Sequence, residues 1–343
     1  MTMDSWVLVC MAVALVAGNG SGRDPVAMAP AVREFRPYID ERWVGNAVSY
    51  GPHRDGQHPG GPSPSREQIR EDMGVMLRHW HLLRTYGAGE TTQRMLEIIR
   101  ADHLDMKVML GVWIAVEERR GENGDVIESF PEAREANRRE VEAGVRLANE
   151  YADIVVAVSV GNETQVDWSA HRSPLDILIQ HVRTVRAATL VPVTVADDYN
   201  FWNKPESHAL AREVDFIVMH AHPMWNGILA ADAFQWTRDT YHAIAAEHPD
   251  RVVVLGETGW ATMMHNEGEQ ARLIKGHPGE AEQAAFLDAI TSWAQREHVT
   301  VFFFEAFDEN WKGGEHADEV EKHWGLYKAD RTPKLAVRNG VSK

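Results

Sequence analysis

The feature that most constrains the fold is a regular alternation between short apolar runs rich in β-branched residues and longer, charge-rich amphipathic segments. From Trp43 onward, eight such runs follow one another with no break in composition. Several are apolar throughout, which is typical of strands buried on both faces of a parallel sheet. The eight predicted strands are Val44–Tyr50, Leu82–Tyr86, Val108–Trp113, Ile154–Val160, Pro192–Ala196, Phe216–His220, Val252–Leu255 and Val299–Phe304.

The segments between these runs are predicted helices. One begins at Ser65, which has capping-box spacing to Gln68. The others cover about Thr92–His103, Pro131–Tyr151, Pro174–Thr189, Ala231–His248 and Pro278–His298, with a shorter one near Glu206–Glu213. Eight strand–helix units without a composition break predict a single (β/α)8 TIM barrel. A doubly wound sheet is the alternative, but no Gly-x-Gly-x-x-Gly or phosphate loop follows the first strand.

The beginning of the chain resembles an export signal. The run Trp6–Ala17 has the length of a signal-peptide apolar region and is short for a membrane span, and "GNGSG" follows it. We therefore predict a leader and flexible segment over residues 1–30, the barrel over residues 31–343, and export to the periplasm or the extracellular space. No lysine or arginine precedes the apolar run. The alternative, a start segment without targeting information, leaves a cytoplasmic location open.

Composition excludes several classes of function. The formal net charge of −16 and the pI near 5.5 argue against a nucleic-acid partner, which needs a basic face. Neutral or cationic ligands stay open. The one cysteine, Cys10, lies in the leader, so the predicted barrel has no thiolate nucleophile and no cysteine metal site. Nothing in the sequence indicates a protein partner.

Two carboxylates stand out among the predicted strand ends, where the site of a barrel lies. Glu163 ends "VSVGNE" on strand four, and Glu257 ends "VVVLGE" on strand seven. These strands lie opposite each other at the barrel mouth, so the two side chains can face each other across a cleft. Glycoside hydrolysis requires at least a pair of carboxyl groups. Their different environments make one of them an acid and the other a nucleophile.

The motifs around these glutamates resemble glycoside hydrolase family 17, the β-1,3-glucanase family of retaining (β/α)8 enzymes. The matching motifs, in the order of the family, are "NAVSYGP", "LRTYG", "VGNE", "GETGW" and "FEAFDENWK" followed by "EKHWGLY". They span about Trp43 to Tyr327. The resemblance implies a catalytic barrel domain that acts on β-1,3-glucan or gluco-oligosaccharides and uses no cofactor.

The resemblance also implies a role for each matching residue. Glu163 matches the general acid/base and Glu257 the nucleophile, while Asn162 matches an amide that bonds the sugar 2-hydroxyl. The other expected substrate contacts are Tyr50, Tyr86, His220, Trp225 and Trp260, and the expected supporting residues are Arg84, Glu309, Lys312 and Glu321. Histidine pairs such as His220 and His222 have no third ligand at metal spacing, so no metal is expected.

Several positions depart from the plant members of that family. Ala261 stands where those members have proline, and His222 and Met224 stand where they have tyrosines. "DDYNFW" and "FDENWK" resemble the bacterial branch more closely. These differences leave exo or endo action open. Two alternatives to a hydrolase also remain, namely a β-1,3-glucanosyltransferase that elongates or branches glucans and a glucan-binding protein without catalysis.

Overall fold

The computed structural model describes residues 31–338. The predicted leader lies outside the described residues, so its export and the division of the chain at residue 30 stay predictions. Within residues 31–338, no helix combines the length and the apolar character that crossing a membrane requires.

Eight parallel strands close into a barrel, in which β3, β4, β5, β8, β9, β10, β11 and β12 are neighbours in that order and β12 pairs with β3. The predicted (β/α)8 fold is confirmed, since each of the eight predicted runs contains or overlaps one of these strands. The strands are β1 Tyr38–Ile39, β2 Arg42–Trp43, β3 Asn46–Ser49, β4 Leu82–Arg84, β5 Lys107–Val112, β6 Glu118–Arg120, β7 Val126–Ser129, β8 Val155–Asn162, β9 Val193–Asp198, β10 Ile217–His220, β11 Val253–Thr258 and β12 Val301–Phe303.

The helices that follow the barrel strands pack around the outside. They are α1 Arg66–Met76, α2 Glu90–Ala101, α3 Pro131–Glu150, α4 Leu175–Ala188, α5 Tyr199–Trp202, α6 Ser207–Ala211, α7 Ala230–Glu247, α8 Gly268–Leu273, α9 Glu280–Glu297 and α10 Leu335–Arg338. The predicted capping box at the start of α1 is present, because Ser65 and Gln68 bond each other's backbone N–H groups.

The strands alternate between two apolar layers. In β10, Val218 points into the barrel with Phe302 and Phe216, while Ile217 and Met219 pack with the surrounding helices. This alternation follows from the two-residue period of a strand and explains why the runs are apolar on both faces. Phe35 stacks on Phe216 with 4.5 Å between ring centroids, so the N-terminal segment covers the amino end of the barrel. The carboxyl end is left for the loops and the site.

One loop differs from the sequence-based expectation, and another agrees with it. The charged, glycine-containing segment "EERRGENGDVIES" predicts a solvated loop, but it contains the antiparallel hairpin β6–β7. Its strands are short and mostly exposed, so they lack the apolar alternation that predicts a strand; an ion pair between Arg119 and Glu128 joins them instead. The long loop over residues 51–65 forms part of the cleft wall, as its position after the first barrel strand predicts.

Candidate active site

A cleft of about 1220 Å³ lies at the carboxyl end of the barrel strands. It contains both predicted catalytic glutamates, Glu163 and Glu257, together with Asn162. Its walls are rich in aromatic side chains, which are Tyr50, Tyr86, Trp113, Trp168, Trp225, Phe304, Trp311 and Trp324.

Glu163 is held at the tip of β8 by an unusual backbone. Gly161 has a φ of +81° and Glu163 a φ of +48°, so the chain turns twice through the left-handed region. A non-glycine residue in that region is uncommon and is found most often at functional sites. The N–H of Glu163 donates to the carbonyl of Ala196 at 2.9 Å, which anchors the turn to the next strand. The Glu163 side chain is 25% exposed and so remains open to solvent from the cleft.

Glu257 lies on β11 and is almost completely buried. Its Oε1 accepts hydrogen bonds from Arg84 Nη1 at 2.5 Å and Tyr86 Oη at 3.0 Å, and its Oε2 lies 3.3 Å from His222 Nε2. Burial alone would raise the pKa of Glu257, but His220, Arg84 and the His222 hydrogen bond outweigh it and hold that pKa well below its ordinary value. The carboxylate is therefore ionised at neutral pH.

Arg84 orients Asn162 as well as Glu257. Its Nη2 donates to Asn162 Oδ1 at 2.5 Å. Arginine has no acceptor, so the oxygen of the amide must face Arg84 and the NH₂ group must point away from it. Since Asn162 lines the cleft, this NH₂ is available to a ligand hydroxyl. Arg84 therefore bonds both Glu257 and Asn162, and its expected supporting role stays a prediction.

The two glutamates face each other with His220 between them. One ligand atom from each of Glu163, His220 and Glu257 lies within 4.8 Å of the others. His220 Nδ1 is 3.0 Å from Glu163 Oε1, and His220 Nε2 is 3.6 Å from Glu257 Oε1. A divalent ion could use such a spacing, but Arg84 already places a positive charge on Glu257, which disfavours a second cation there. The expectation of a metal-independent enzyme stays a prediction.

Two predicted sugar contacts need correction. His220 is fully buried below the cleft surface and contacts the two glutamates, so it does not offer an edge to substrate. Trp260 is also fully buried, donates its Nε1–H to the carbonyl of His277 at 3.0 Å, and packs beside Phe286. It points outward toward α9 because a residue near a strand end can face the helices as readily as the barrel mouth.

The remaining predicted contacts line the cleft but bond mainly to protein. The hydroxyl of Tyr50 donates to Asp72 at 3.0 Å, so only its ring is left for a ligand. The hydroxyl of Tyr86 is bound to Glu257, and Trp225 Nε1 donates to Glu321 at 2.9 Å. Their substrate roles stay predictions.

A buried charged cluster forms the floor beside Glu257. Lys312 Nζ lies 2.7 Å from both carboxylate oxygens of Glu305 and 3.0 Å from Glu309 Oε2. Burial would raise the pKa of Glu309, but Lys312 and His53 lower it to about 2. Burial dominates at Glu305, whose pKa is raised well above its ordinary value even with Lys312 beside it. Lys312 therefore bonds Glu305 and Glu309 directly, and it reaches Glu257 only through Glu305.

Several cleft residues were not among the predicted site residues. The exposed aromatic side chains Trp113, Trp168 and Trp311 were missed, and so was His222. Trp168 is 61% exposed on the loop that follows Glu163. A tryptophan surrounded by polar residues just after a candidate catalytic residue is the signal that could have identified it.

The fold and this site define a (β/α)8 enzyme of the glycoside hydrolase class. Residues 47–325 match the family model of the BtgE/BtgC glycoside hydrolase domain, and the chain belongs to this family. It is 27% identical over 303 residues to a glucan 1,3-beta-glucosidase of Arthroderma benhamiae, covering 84% of this chain and 89% of the relative.

Two solved structures share the fold. An endo-laminarinase from Formosa Hel1_33_131 is 25% identical with a TM-score of 0.74, and the likeness covers 86% of this chain and 87% of the other. A glycoside hydrolase family 17 β-1,3-glucanosyltransferase from Rhizomucor miehei is 21% identical with a TM-score of 0.66, covering 86% of this chain and 97% of the other. At this level of identity the second likeness shows the fold alone.

Replacing Lys312 tests the charged floor. We expect Lys312→Met to lower the free energy of unfolding by about 3–5 kcal/mol at pH 7, because the buried carboxylate of Glu309 loses its cation and Glu305 loses its hydrogen-bond donor. The Lys312→Arg variant keeps the charge and should recover most of that loss. Chemical denaturation measures both, and equal stability of the two variants at pH 7 would contradict this description of the floor.

The same pair of variants predicts a pH dependence. The pKa of Glu309, about 2, lies below its ordinary value of 4.5, so Glu309 stabilises the fold above pH 4.5 and this contribution is lost as the pH falls toward 2. The stability difference between wild type and Lys312→Met should therefore shrink as the pH is lowered through that window. If the stability difference between wild type and Lys312→Met grew as the pH was lowered, the predicted direction of this pH dependence would be wrong.

Proposed function

We propose that this protein is a retaining β-1,3-glucan-active glycoside hydrolase of family 17, in its bacterial-type branch. Glu257 attacks the anomeric carbon while Glu163 protonates the departing oxygen, which leaves a covalent glycosyl-enzyme. Glu163 then removes a proton from water, and the water displaces Glu257. The observation that carries this proposal is the close approach of the two carboxylates across the cleft.

The separation of the carboxylates supports retention. Retaining enzymes hold the two carboxyl groups about 5–5.5 Å apart, whereas inverting enzymes keep them about 6.5–9.5 Å apart to admit a water between them. One oxygen of Glu163 and one of Glu257 lie within 4.8 Å of each other, and this close approach agrees better with the shorter of the two spacings.

The environments of the glutamates support their separate roles. Glu257 is buried, ionised and fixed by three side chains, as a nucleophile must be to reach one carbon atom. Glu163 is partly exposed at the cleft, where both a leaving group and an incoming water can reach it.

The cleft supports a neutral polysaccharide as substrate. Its aromatic faces can pack against sugar C–H surfaces. The lysine and the arginine that line the described cleft, Lys312 and Arg272, both pair with glutamates, so the cleft does not present a cluster of unpaired cations for an anionic sugar. The names of the similar proteins, a 1,3-beta-glucosidase and an endo-laminarinase, agree with a β-1,3-glucan.

A glucanosyltransferase is the second candidate, and the wall beside Asn162 favours it. Trp113 packs against His171 with 4.6 Å between ring centroids, and His171 Nε2–H donates to the carbonyl of Asn162 at 2.7 Å. Trp168 stands exposed on the same loop. A sugar stacked on this wall would compete with water for the glycosyl-enzyme.

The proposal includes export through the N-terminal segment. Its support is the apolar run Trp6–Ala17 followed by "GNGSG". A large glucan outside the cell would be reached only by an exported enzyme.

The role of Glu163 is tested with Glu163→Ala and an aryl β-laminaribioside whose leaving group needs no proton. The variant should form the glycosyl-enzyme but turn over slowly, because it lacks the base, and added azide should restore turnover and yield the β-glycosyl azide. The matched control is Glu257→Ala, for which a β-azide is not expected. The assignment would be wrong if azide had no effect on Glu163→Ala.

Hydrolysis and transfer are separated by the products from laminaripentaose. At low substrate concentration a hydrolase yields only shorter oligosaccharides, and chromatography with mass detection measures them. Products longer than the substrate would show that the protein is a transferase and not a hydrolase. In that case Trp168→Ala should reduce the share of long products, because the acceptor loses its stacking surface.

A further inference from the structure

Substrate binding does not explain why the imidazole of His220 is buried in the site. It is fully buried, yet it lies against both catalytic candidates, with Nδ1 at Glu163 Oε1 and Nε2 toward Glu257 Oε1. We propose that His220 and Glu163 share the catalytic proton, and that Glu257 holds His220 in the protonation state that makes this sharing possible. His220 is in this sense a positioning residue for the proposed reaction.

The Nε2 side fixes the location of one proton. Nε2 is buried and has no hydrogen-bond partner among the described residues, and Glu257 Oε1 lies 3.6 Å from it. An unprotonated Nε2 would direct a lone pair at an ionised carboxylate, and the two would repel. A proton on Nε2 is attracted to that carboxylate instead, so the charge of Glu257 selects the Nε2–H form.

The contact at Nδ1 then determines whether Glu163 shares a proton with His220. A contact of 3.0 Å between Nδ1 and Oε1 requires one hydrogen between the two atoms. With a proton already on Nε2, this second proton belongs either to the Glu163 carboxyl group or to an imidazolium. Both arrangements hold the same number of protons and differ only in the position of one of them. The pair therefore stores the proton that acid catalysis needs.

The imidazole ring has little freedom to leave this position. A Cβ placed on Gly256 would lie 3.3 Å from His220 Cδ2 and 3.4 Å from Nε2, so the backbone of β11 packs directly against the ring edge. The same Cβ would overlap the Cγ1 of Val218, so glycine is needed here for Val218 and also leaves the ring edge in close contact with the strand backbone.

The charged and titratable groups around His220 come from four elements. Glu163 faces it from the end of β8, Asp198 from β9, Glu257 from β11, and His222 from its own segment with 6.5 Å between ring centroids. Burial raises the pKa of Asp198 to about 6. Glu257 is thus the group that remains ionised most firmly beside the ring.

The proton balance follows the two steps of the proposed reaction. In the first, the shared proton passes to the glycosidic oxygen as the C–O bond breaks and the Glu257–carbon bond forms. In the second, water gives one proton to the Glu163–His220 pair, its oxygen bonds to the anomeric carbon, and Glu257 leaves as a carboxylate. The pair and Glu257 return to their starting states, and no other reactant is required.

The test compares two substrates in His220→Asn. An amide can still make a hydrogen bond near Glu163, but it cannot take up a proton. We expect kcat/KM on laminarin, whose leaving group needs a proton, to fall by about 10²-fold, and kcat/KM on a dinitrophenyl β-laminaribioside to fall by only a few fold. The basic limb of the pH profile on laminarin should also move.

The matched control is His222→Asn, which alters the neighbouring histidine whose side chain hydrogen-bonds Glu257 and not Glu163. Because it acts on the nucleophile, it should lower kcat/KM on both substrates by similar factors. Equal losses on both substrates in His220→Asn, with an unmoved pH profile, would show that His220 is only structural and would overturn the inference.

If His220→Asn does not fold, a measurement on the wild-type enzyme tests the same inference. Nitrogen NMR of the histidine-labelled protein should show the His220 Nε2 protonated across the working pH range, and its signals should shift when Glu257 is trapped as a fluoroglycosyl ester. An unprotonated Nε2 would overturn the inference.

The inference rests on the proposed roles of Glu163 and Glu257, but the two can fail separately. If Glu163→Ala cleaves laminarin at the wild-type rate, the proposed function fails and the inference fails with it. If Glu163→Ala behaves as predicted while His220→Asn loses activity equally on both substrates, only the inference fails.

Discussion

The rest of the site depends on one buried cation. Arg84 on β4 donates to Glu257 on β11 and to Asn162 at the end of β8, so a single guanidinium joins three strand ends of the barrel. It keeps the pKa of Glu257 low despite burial, together with His220 and His222. Removing one partner of such a buried pair costs about 3–5 kcal/mol, because the other charge is left without compensation. Folding and catalytic readiness are therefore coupled through Arg84.

A second buried charge network lies next to the first and has a different task. Lys312 binds Glu305 and Glu309 on the segment after β12, and His53 on the first loop also reaches Glu309. This network fixes the shape of the floor and fastens the loop over residues 51–65 to it. The chain thus places two cations, each paired with a buried glutamate, at the floor of a cleft whose upper walls are aromatic. A neutral sugar can be bound there without competing for either cation.

The sequence predicted the barrel well because strand burial leaves a strong periodic signal. The eight apolar runs and the polar residues at their ends, Glu163 and Glu257 above all, mark positions that the topology must bring to one rim. The direction in which a side chain points at a strand end leaves no such periodic signal in the sequence. Trp260 points outward and packs in the core, and His220 lies below the cleft. At a strand end, successive side chains face the barrel mouth and the helix layer in turn, so a shift of one residue moves a side chain from one side to the other. The hairpin β6–β7 escaped prediction because charge pairing, rather than apolar alternation, holds it.

The central claim is that Glu257 becomes covalently bound to the sugar, and trapping tests it most directly. A 2-deoxy-2-fluoro-β-laminaribiosyl fluoride should react once per enzyme molecule, because the fluorine slows release of the intermediate more than its formation. Mass spectrometry of the digested protein should place the added sugar on the peptide containing Glu257, and Glu257→Gln should remain unlabelled. A label on another residue, or time-dependent inactivation that leaves no label, would contradict the double-displacement mechanism.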